Sequence, residues 1–165
     1  MGVHHEYGSV RAPGGATGFR IRHGVKGLIT SSDAVLLLEE HHCDGSTFWT
    51  LPGGGVEPGE LPRVALRREV REELQCGAVV AEPVGDFPYV HASRPRTVSV
   101  YTVFRCAVTE RPVANEAEGV RQCRWVTPDG PPARVLPQVR AMTQQARESG
   151  SWTEPSQELP LDSTT

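Results

Sequence analysis

Long apolar runs are missing from this chain. Nothing in it approaches the about 20 consecutive apolar residues that a membrane-crossing helix requires. No basic-then-apolar leader opens it, which points away from secretion and toward a cytoplasmic location. Basic excess is missing as well: 17 Lys and Arg against 20 Asp and Glu leave a formal charge of −3. That is the wrong sign for the phosphate contacts behind non-specific nucleic-acid binding. Cys43, Cys76, Cys106 and Cys123 form no CxxC pair, so zinc-ribbon and thiol-redox motifs are excluded. Scattered thiols of this kind are expected to be reduced, small core residues. Met1-Gly2 opens like an acylation signal, but Glu6 stands where Ser or Thr is required. Internal repeats are absent. What remains is a chain suited to one domain with a proper core.

The informative stretch is residues 53–77, GGGVEPGELPRVALRREVREELQCG. A glycine-rich turn with Glu57 and Glu60 behind it leads into Arg68-Glu69-Val70-Arg71-Glu72-Glu73. On a helix, Glu69 lies i,i+3 from Glu72 and i,i+4 from Glu73, so the three carboxylates share one side. Like charges so spaced destabilise a helix mildly. Two compensations are open: pairing with the interleaved Arg67, Arg68 and Arg71 on a solvated face, or a hard divalent cation, which takes oxygen ligands.

The spacing is more specific than a charge run. Gly54, five residues, Glu60, seven residues, Arg68-Glu69-Val70, one residue, Glu72-Glu73 resembles the Nudix box, with Trp49-Thr50-Leu51-Pro52-Gly53 as its usual lead-in. One position departs: Gln75 stands where the box has Gly, and the next glycine is Gly77. A helix-ending glycine normally takes the left-handed conformation, which costs another residue about 1 kcal/mol. The helix is therefore expected to run one turn further, to Gly77.

The resemblance implies the α/β Nudix fold, a mixed β-sheet sandwiched between helices. It also implies hydrolysis of a pyrophosphate bond in a nucleoside diphosphate linked to another moiety, by water attack at phosphorus, with Mg2+ or Mn2+ as cofactor. Residue by residue, Glu72 and Glu73 match the paired metal-holding glutamates. Glu69 matches a metal ligand or the base that takes the water's proton. Arg68 matches the arginine that orients a neighbouring carboxylate, and Gly53 the glycine whose carbonyl reaches the metal. Glu60 is expected to brace the loop and helix start. A further carboxylate from beyond the box is expected, with Glu118 preferred to Glu116. Arg94 and Arg96 are candidates for gripping a substrate phosphate. Tyr89, with His91 and Tyr101, is a candidate for base stacking. A non-catalytic nucleotide-binding module is the alternative reading; such modules usually lose box glutamates, and this chain keeps Glu60, Glu69, Glu72 and Glu73. The partner expected is a small nucleotide-type substrate, with a homodimer left open. The subgroup markers for ADP-ribose and dinucleoside polyphosphate hydrolases do not fall at their expected spacing.

Around the box, residues 1–18 read as an irregular arm, 19–148 as the domain and 149–165 as a mobile Ser-, Pro-, Glu- and Thr-rich tail. Strands are expected over 19–29, with Gly24 and Gly27 as bulge positions, and over 34–38, 48–51, 78–84, 97–108 and 122–127. The apolar run 34–38 reads as a strand buried on both faces. A helix is expected from residue 60, with Val64, Leu66, Val70 and Leu74 as its apolar side, and a second over 134–147 through Val135, Val139, Met142 and Ala146. His41-His42-Cys43-Asp44, followed by Gly45-Ser46, reads as a hairpin loop rather than a metal site.

Overall fold

The computed structural model describes residues 18–91, 93–127 and 129–148. The expected arm, apart from Gly18, and the expected tail lie outside the described residues. The elements run β1 (Arg20–Ser31), β2 (Ala34–His41), β3 (Thr47–Thr50), β4 (Gly53–Gly55), α1 (Pro62–Leu74), β5 (Ala78–Val90), β6 (Thr97–Val108), a 3-10 turn (Glu116–Glu118), β7 (Val120–Val126) and α2 (Pro137–Glu148).

The strands form one mixed sheet in the order β3-β2-β1-β6-β5, with β4 paired to β1 and β7 paired to β2. The β1–β6 ladder is parallel and the others are antiparallel. β5 lies at an edge, where Pro83 and Pro88 need donate nothing to a further strand. Side chains alternate across each strand. Leu36 and Leu38 therefore join Ala65, Leu66, Val70 and Leu74 of α1 in one core, while Val35 and Leu37 join Val139, Met142 and Ala146 of α2 in another. Being buried on both faces is why β2 reads as an unbroken apolar run.

Several expectations are corrected. Gly24 and Gly27 form no bulge: β1 keeps register with β6 from Arg20 to Ile29. Gly24 makes room instead, since a Cβ there would lie 2.5 Å from the Tyr101 ring. Val64 is 47% exposed. It lies two residues, or about 200°, from Leu66 on a helix, and Ala65 takes the core position. Val135 is buried, but it precedes α2 and bridges to Trp49. Cys76 and Cys106 are buried, whereas Cys43 is exposed in the β2–β3 loop. That loop is a hairpin turn in which Asp44 accepts hydrogen bonds from the Ser46 amide and hydroxyl.

Helix α1 also stops earlier than expected. Gln75 itself adopts the left-handed conformation, with φ 54° and ψ 33°. Residues 113–115 explain the stop, because they claim carbonyls that a longer helix would use. Val113 N donates to Leu74 O at 2.8 Å and Asn115 N to Glu73 O at 2.9 Å. Asn115 Nδ2 reaches Glu72 O at 2.8 Å.

Candidate active site

β1 and β2 pair only at Thr30↔Val35 and Ser31↔Ala34, and then diverge. The lead-in to α1 fills the gap. β4 pairs with β1 through Gly24↔Gly55, Val25↔Gly54 and Lys26↔Gly53. Gly53 has φ 132°, and a Cβ on it would lie 2.1 Å from the Val25 carbonyl oxygen, so only glycine fits. Its amide donates to Glu73 Oε1 at 2.9 Å. Gly54 lies against the Glu69 carboxylate, where a Cβ would come within 2.6 Å of Oε1. The absent side chains thus let α1 bring its carboxylates onto the turn.

Arg68 organises this corner. Its Nε donates to Glu60 Oε1 at 2.9 Å and its Nη2 to Glu60 Oε2 at 3.1 Å. Nη1 donates to Glu69 Oε1 at 3.0 Å and to Glu72 Oε2 at 3.2 Å. Nη2 also donates to the Gly55 carbonyl at 3.0 Å. Glu60 completes the brace by accepting from the Glu57 amide at 3.0 Å. Such a fixed fork of donors is a property of arginine that lysine lacks.

The electrostatics differ among the carboxylates. Hydrogen bonding to Arg68 holds Glu60 below the ordinary range. Burial pushes Glu69 up, against the pull of Arg68. Burial pushes Glu73 well up, opposed by Lys26. Glu73 is 5% exposed, and its Oε2 is buried without a hydrogen-bond partner among the described residues. An orphaned, buried carboxylate oxygen on an acidic cavity is the donor a hard cation takes.

A cavity of about 590 Å³ opens over this corner. It gathers Gly53, Arg68, Glu69, Glu72 and Glu73, and Glu118 reaches it from the 3-10 turn; Glu57 and Arg94 line it too. Glu116 does not line it. Arg96 is exposed and lies off the cavity, with φ 59°. Tyr89 lines a neighbouring cavity of about 230 Å³ with Phe48 and Phe87. Tyr101 and His91 border both. Among the described residues no three His, Cys, Asp or Glu side chains converge tightly enough to enclose an ion; one Arg68 nitrogen bonds both Glu69 and Glu72.

Sequence reading missed Arg22, Glu40 and His41 on the cavity wall, and Lys26, which lines the neighbouring cavity. Lys26 did carry a signal: it is a lone charge in Val25-Lys26-Gly27-Leu28-Ile29. It is 6% exposed and donates to the carbonyls of Leu51 and Gly53, each at 3.0 Å. Burial works to discharge it, but Glu40, Tyr101, Glu73 and Glu69 outweigh that and hold its ammonium above the ordinary lysine range.

The profile of the NUDIX domain matches residues 20–146. The nucleoside triphosphatase NudI of Escherichia coli O1:K1 / APEC is 31% identical over 112 residues, covering 61% of this chain and 79% of that protein; NudI of Escherichia coli O9:H4 (strain HS) matches equally. Among solved structures, the MutT NUDIX hydrolase of Burkholderia pseudomallei superposes with a TM-score of 0.68 at 23% identity, over 76% of this chain and 97% of that one. A NUDIX hydrolase of Nitrosomonas europaea gives 0.65 at 23% identity, over 84% and 95%. The chain belongs to the Nudix family. It is a Nudix hydrolase, with the α/β sheet-and-helix architecture of that family.

Proposed function

We propose that this chain hydrolyses a pyrophosphate bond of a nucleoside triphosphate or another nucleoside diphosphate derivative, and that it needs a divalent metal ion to do so. The observation that carries the reading is the charge of the 590 Å³ cavity: six carboxylates (Glu40, Glu57, Glu69, Glu72, Glu73 and Glu118) face three guanidinium groups (Arg22, Arg68 and Arg94). A polyphosphate is repelled by such a cavity unless further cations enter with it. A bound Mg2+ or Mn2+ supplies charge neutralisation and activation of water. Glu69, Glu72, Glu73 and Glu118 with the Gly53 carbonyl are the oxygen donors that would hold it. Arg68 positions Glu69 and Glu72 by hydrogen bonds. Glu69 serves either among these donors or as the base that takes the proton of the attacking water. The new bond joins that water's oxygen to phosphorus, and the bridging P–O bond breaks with its electron pair on the leaving group: phosphate, pyrophosphate, a nucleoside monophosphate or the phosphorylated second moiety. Arg94 lines the cavity, which supports a role in meeting a substrate phosphate.

The nucleoside triphosphatase relatives put nucleoside triphosphates first in a substrate panel, beside ADP-ribose, nucleotide sugars and dinucleoside polyphosphates. Each is assayed with Mg2+, and the products are resolved by anion-exchange chromatography: nucleoside monophosphate with pyrophosphate, or nucleoside diphosphate with phosphate, from a triphosphate, and two phosphate-bearing fragments from each of the others. Turnover of at least one class, abolished by excess chelator, is expected; undiminished turnover in chelator defeats the reading. Glu72→Gln is expected to fold normally and lower kcat about 100-fold or more, the scale of a lost charge-stabilising group.

A further inference from the structure

We propose that Lys26 is a positioning residue: its ammonium ties the Leu51 and Gly53 carbonyls together, and by fixing Gly53 it holds one side of the metal site in place. The inference rests on the hydrolase reading above and assigns a role to a residue outside the box.

The geometry is specific. Lys26 pairs with Gly53 across the β1–β4 ladder, and its side chain turns onto the same segment, with Nζ 3.0 Å from Leu51 O and 3.0 Å from Gly53 O. Both backbone polar groups of Gly53 are thereby claimed by buried side chains, the amide by Glu73 at 2.9 Å and the carbonyl by Lys26. Between these two carbonyls, Pro52 O accepts from the Gly27 amide at 2.8 Å. Three consecutive carbonyls of the turn are therefore anchored to β1.

Such anchoring is needed because glycine is the residue most free to move, and this turn has Gly53, Gly54 and Gly55 in a row. A carbonyl oxygen has two lone pairs, so the bond from Lys26 leaves one available to an ion. The position also departs from what packing alone asks for. The neighbours Val25, Leu28 and Ile29 are 0–1% exposed, and an apolar side chain would satisfy such a site without the cost of burying a charge. Lys26 instead stands 5.2 Å from the Tyr101 ring centre. It is also close enough to Glu40, Glu69 and Glu73 for their charges to act on it. A donor that fixes a backbone carbonyl beside a candidate metal site supports that site from behind, and loss of such a support weakens metal binding by about 10- to 100-fold.

The test is Mn2+ binding without substrate, measured by the electron paramagnetic resonance of the free ion. Lys26→Met keeps the stem and removes the donors and the charge. It is expected to retain its far-UV circular dichroism and raise the Mn2+ Kd about tenfold or more. At saturating Mn2+ it is expected to lower kcat with little change in KM. Val139→Ala, a core substitution on the α2 side, controls for general destabilisation and is expected to leave the Mn2+ Kd unchanged. A Lys26→Met protein that binds Mn2+ as tightly as wild type, or more tightly, overturns the inference; tighter binding means that the lysine acts only as an opposing charge. Should Lys26→Met fail to fold, Lys26→Val, which suits a strand, is read in the same way. Wild-type protein that binds no Mn2+ defeats the hydrolase reading together with this one, whereas wild-type binding with an unchanged Lys26→Met defeats this one alone.

Discussion

Glu73 shows the conflict between stability and chemistry at a single side chain. The residue is 5% exposed, with one carboxylate oxygen on the Gly53 amide and the other without a partner among the described residues. Burial raises its pKa well above the ordinary 4.5. The sign follows from linkage: between the unfolded and the raised folded value the native state binds more protons, so stability falls as pH rises through that window. Glu73→Gln is neutral throughout and keeps an acceptor for Gly53. In excess chelator its Tm is expected to fall less than that of wild type as pH rises above the ordinary 4.5, and to exceed wild type once the wild-type carboxyl has lost its proton. Thermal unfolding by circular dichroism at stepped pH checks this, and a wild-type slope in the variant sinks it. Its turnover with Mg2+ is expected to fall about 100-fold or more.

Helix α1 carries the site, and each of its ends makes a test. At the C-terminal end Gln75 occupies the left-handed conformation that costs a non-glycine residue about 1 kcal/mol. Its amide recovers only long contacts to the Val113 and Ala114 carbonyls, each at 3.4 Å. Gln75→Gly is expected to raise Tm by about 3 °C, the shift that about 1 kcal/mol gives a domain of this size, with kcat unchanged. At the N-terminal end Glu60 ties the Glu57 amide to Arg68. Its pKa is depressed below 4.5, first by the Arg68 hydrogen bond. That stabilisation is present above 4.5 and is lost as pH falls through the lower folded value. Glu60→Gln is therefore expected to unfold at a lower temperature near neutrality and to lose less of its stability below pH 4.5. Parallel Tm–pH profiles for the two proteins contradict this.

At the scale of the molecule, one sheet serves two cores. Leu66 of α1 is fully buried in the core with Leu36 and Leu38. Leu66→Ala is expected to cost about 2–5 kcal/mol, a large share of the about 5–15 kcal/mol that stabilises a domain. Urea unfolding followed by tryptophan fluorescence reads it as a lower midpoint; a midpoint unchanged from wild type contradicts the packing.

Local patterns carried much of this architecture into view. The β-branched run at 97–108 became β6 with the same ends, because a strand's preference is set by neighbouring side chains on a pleated surface. The spacing of Glu69, Glu72 and Glu73 put three carboxylates on one helix side for the same local reason. Long-range pairing was not legible. The helix end was misjudged at Gln75 because residues 113–115, about forty positions away, supply its closing hydrogen bonds. Arg94 and Arg96 look alike in sequence, yet only Arg94 lines the cavity.

The residues alone were enough for the family, for the order of the elements other than β4, which read as a glycine-rich turn, and for the helix that gathers the glutamates, since these depend on contacts within a few residues or on a fixed motif. The folded chain was needed to learn that β1 and β2 part beyond two paired positions, that Glu118 reaches the same cavity, and that Lys26 bonds the Leu51 and Gly53 carbonyls. Those facts follow from how distant segments pack, and side chains brought together by packing leave no spacing in the chain to read.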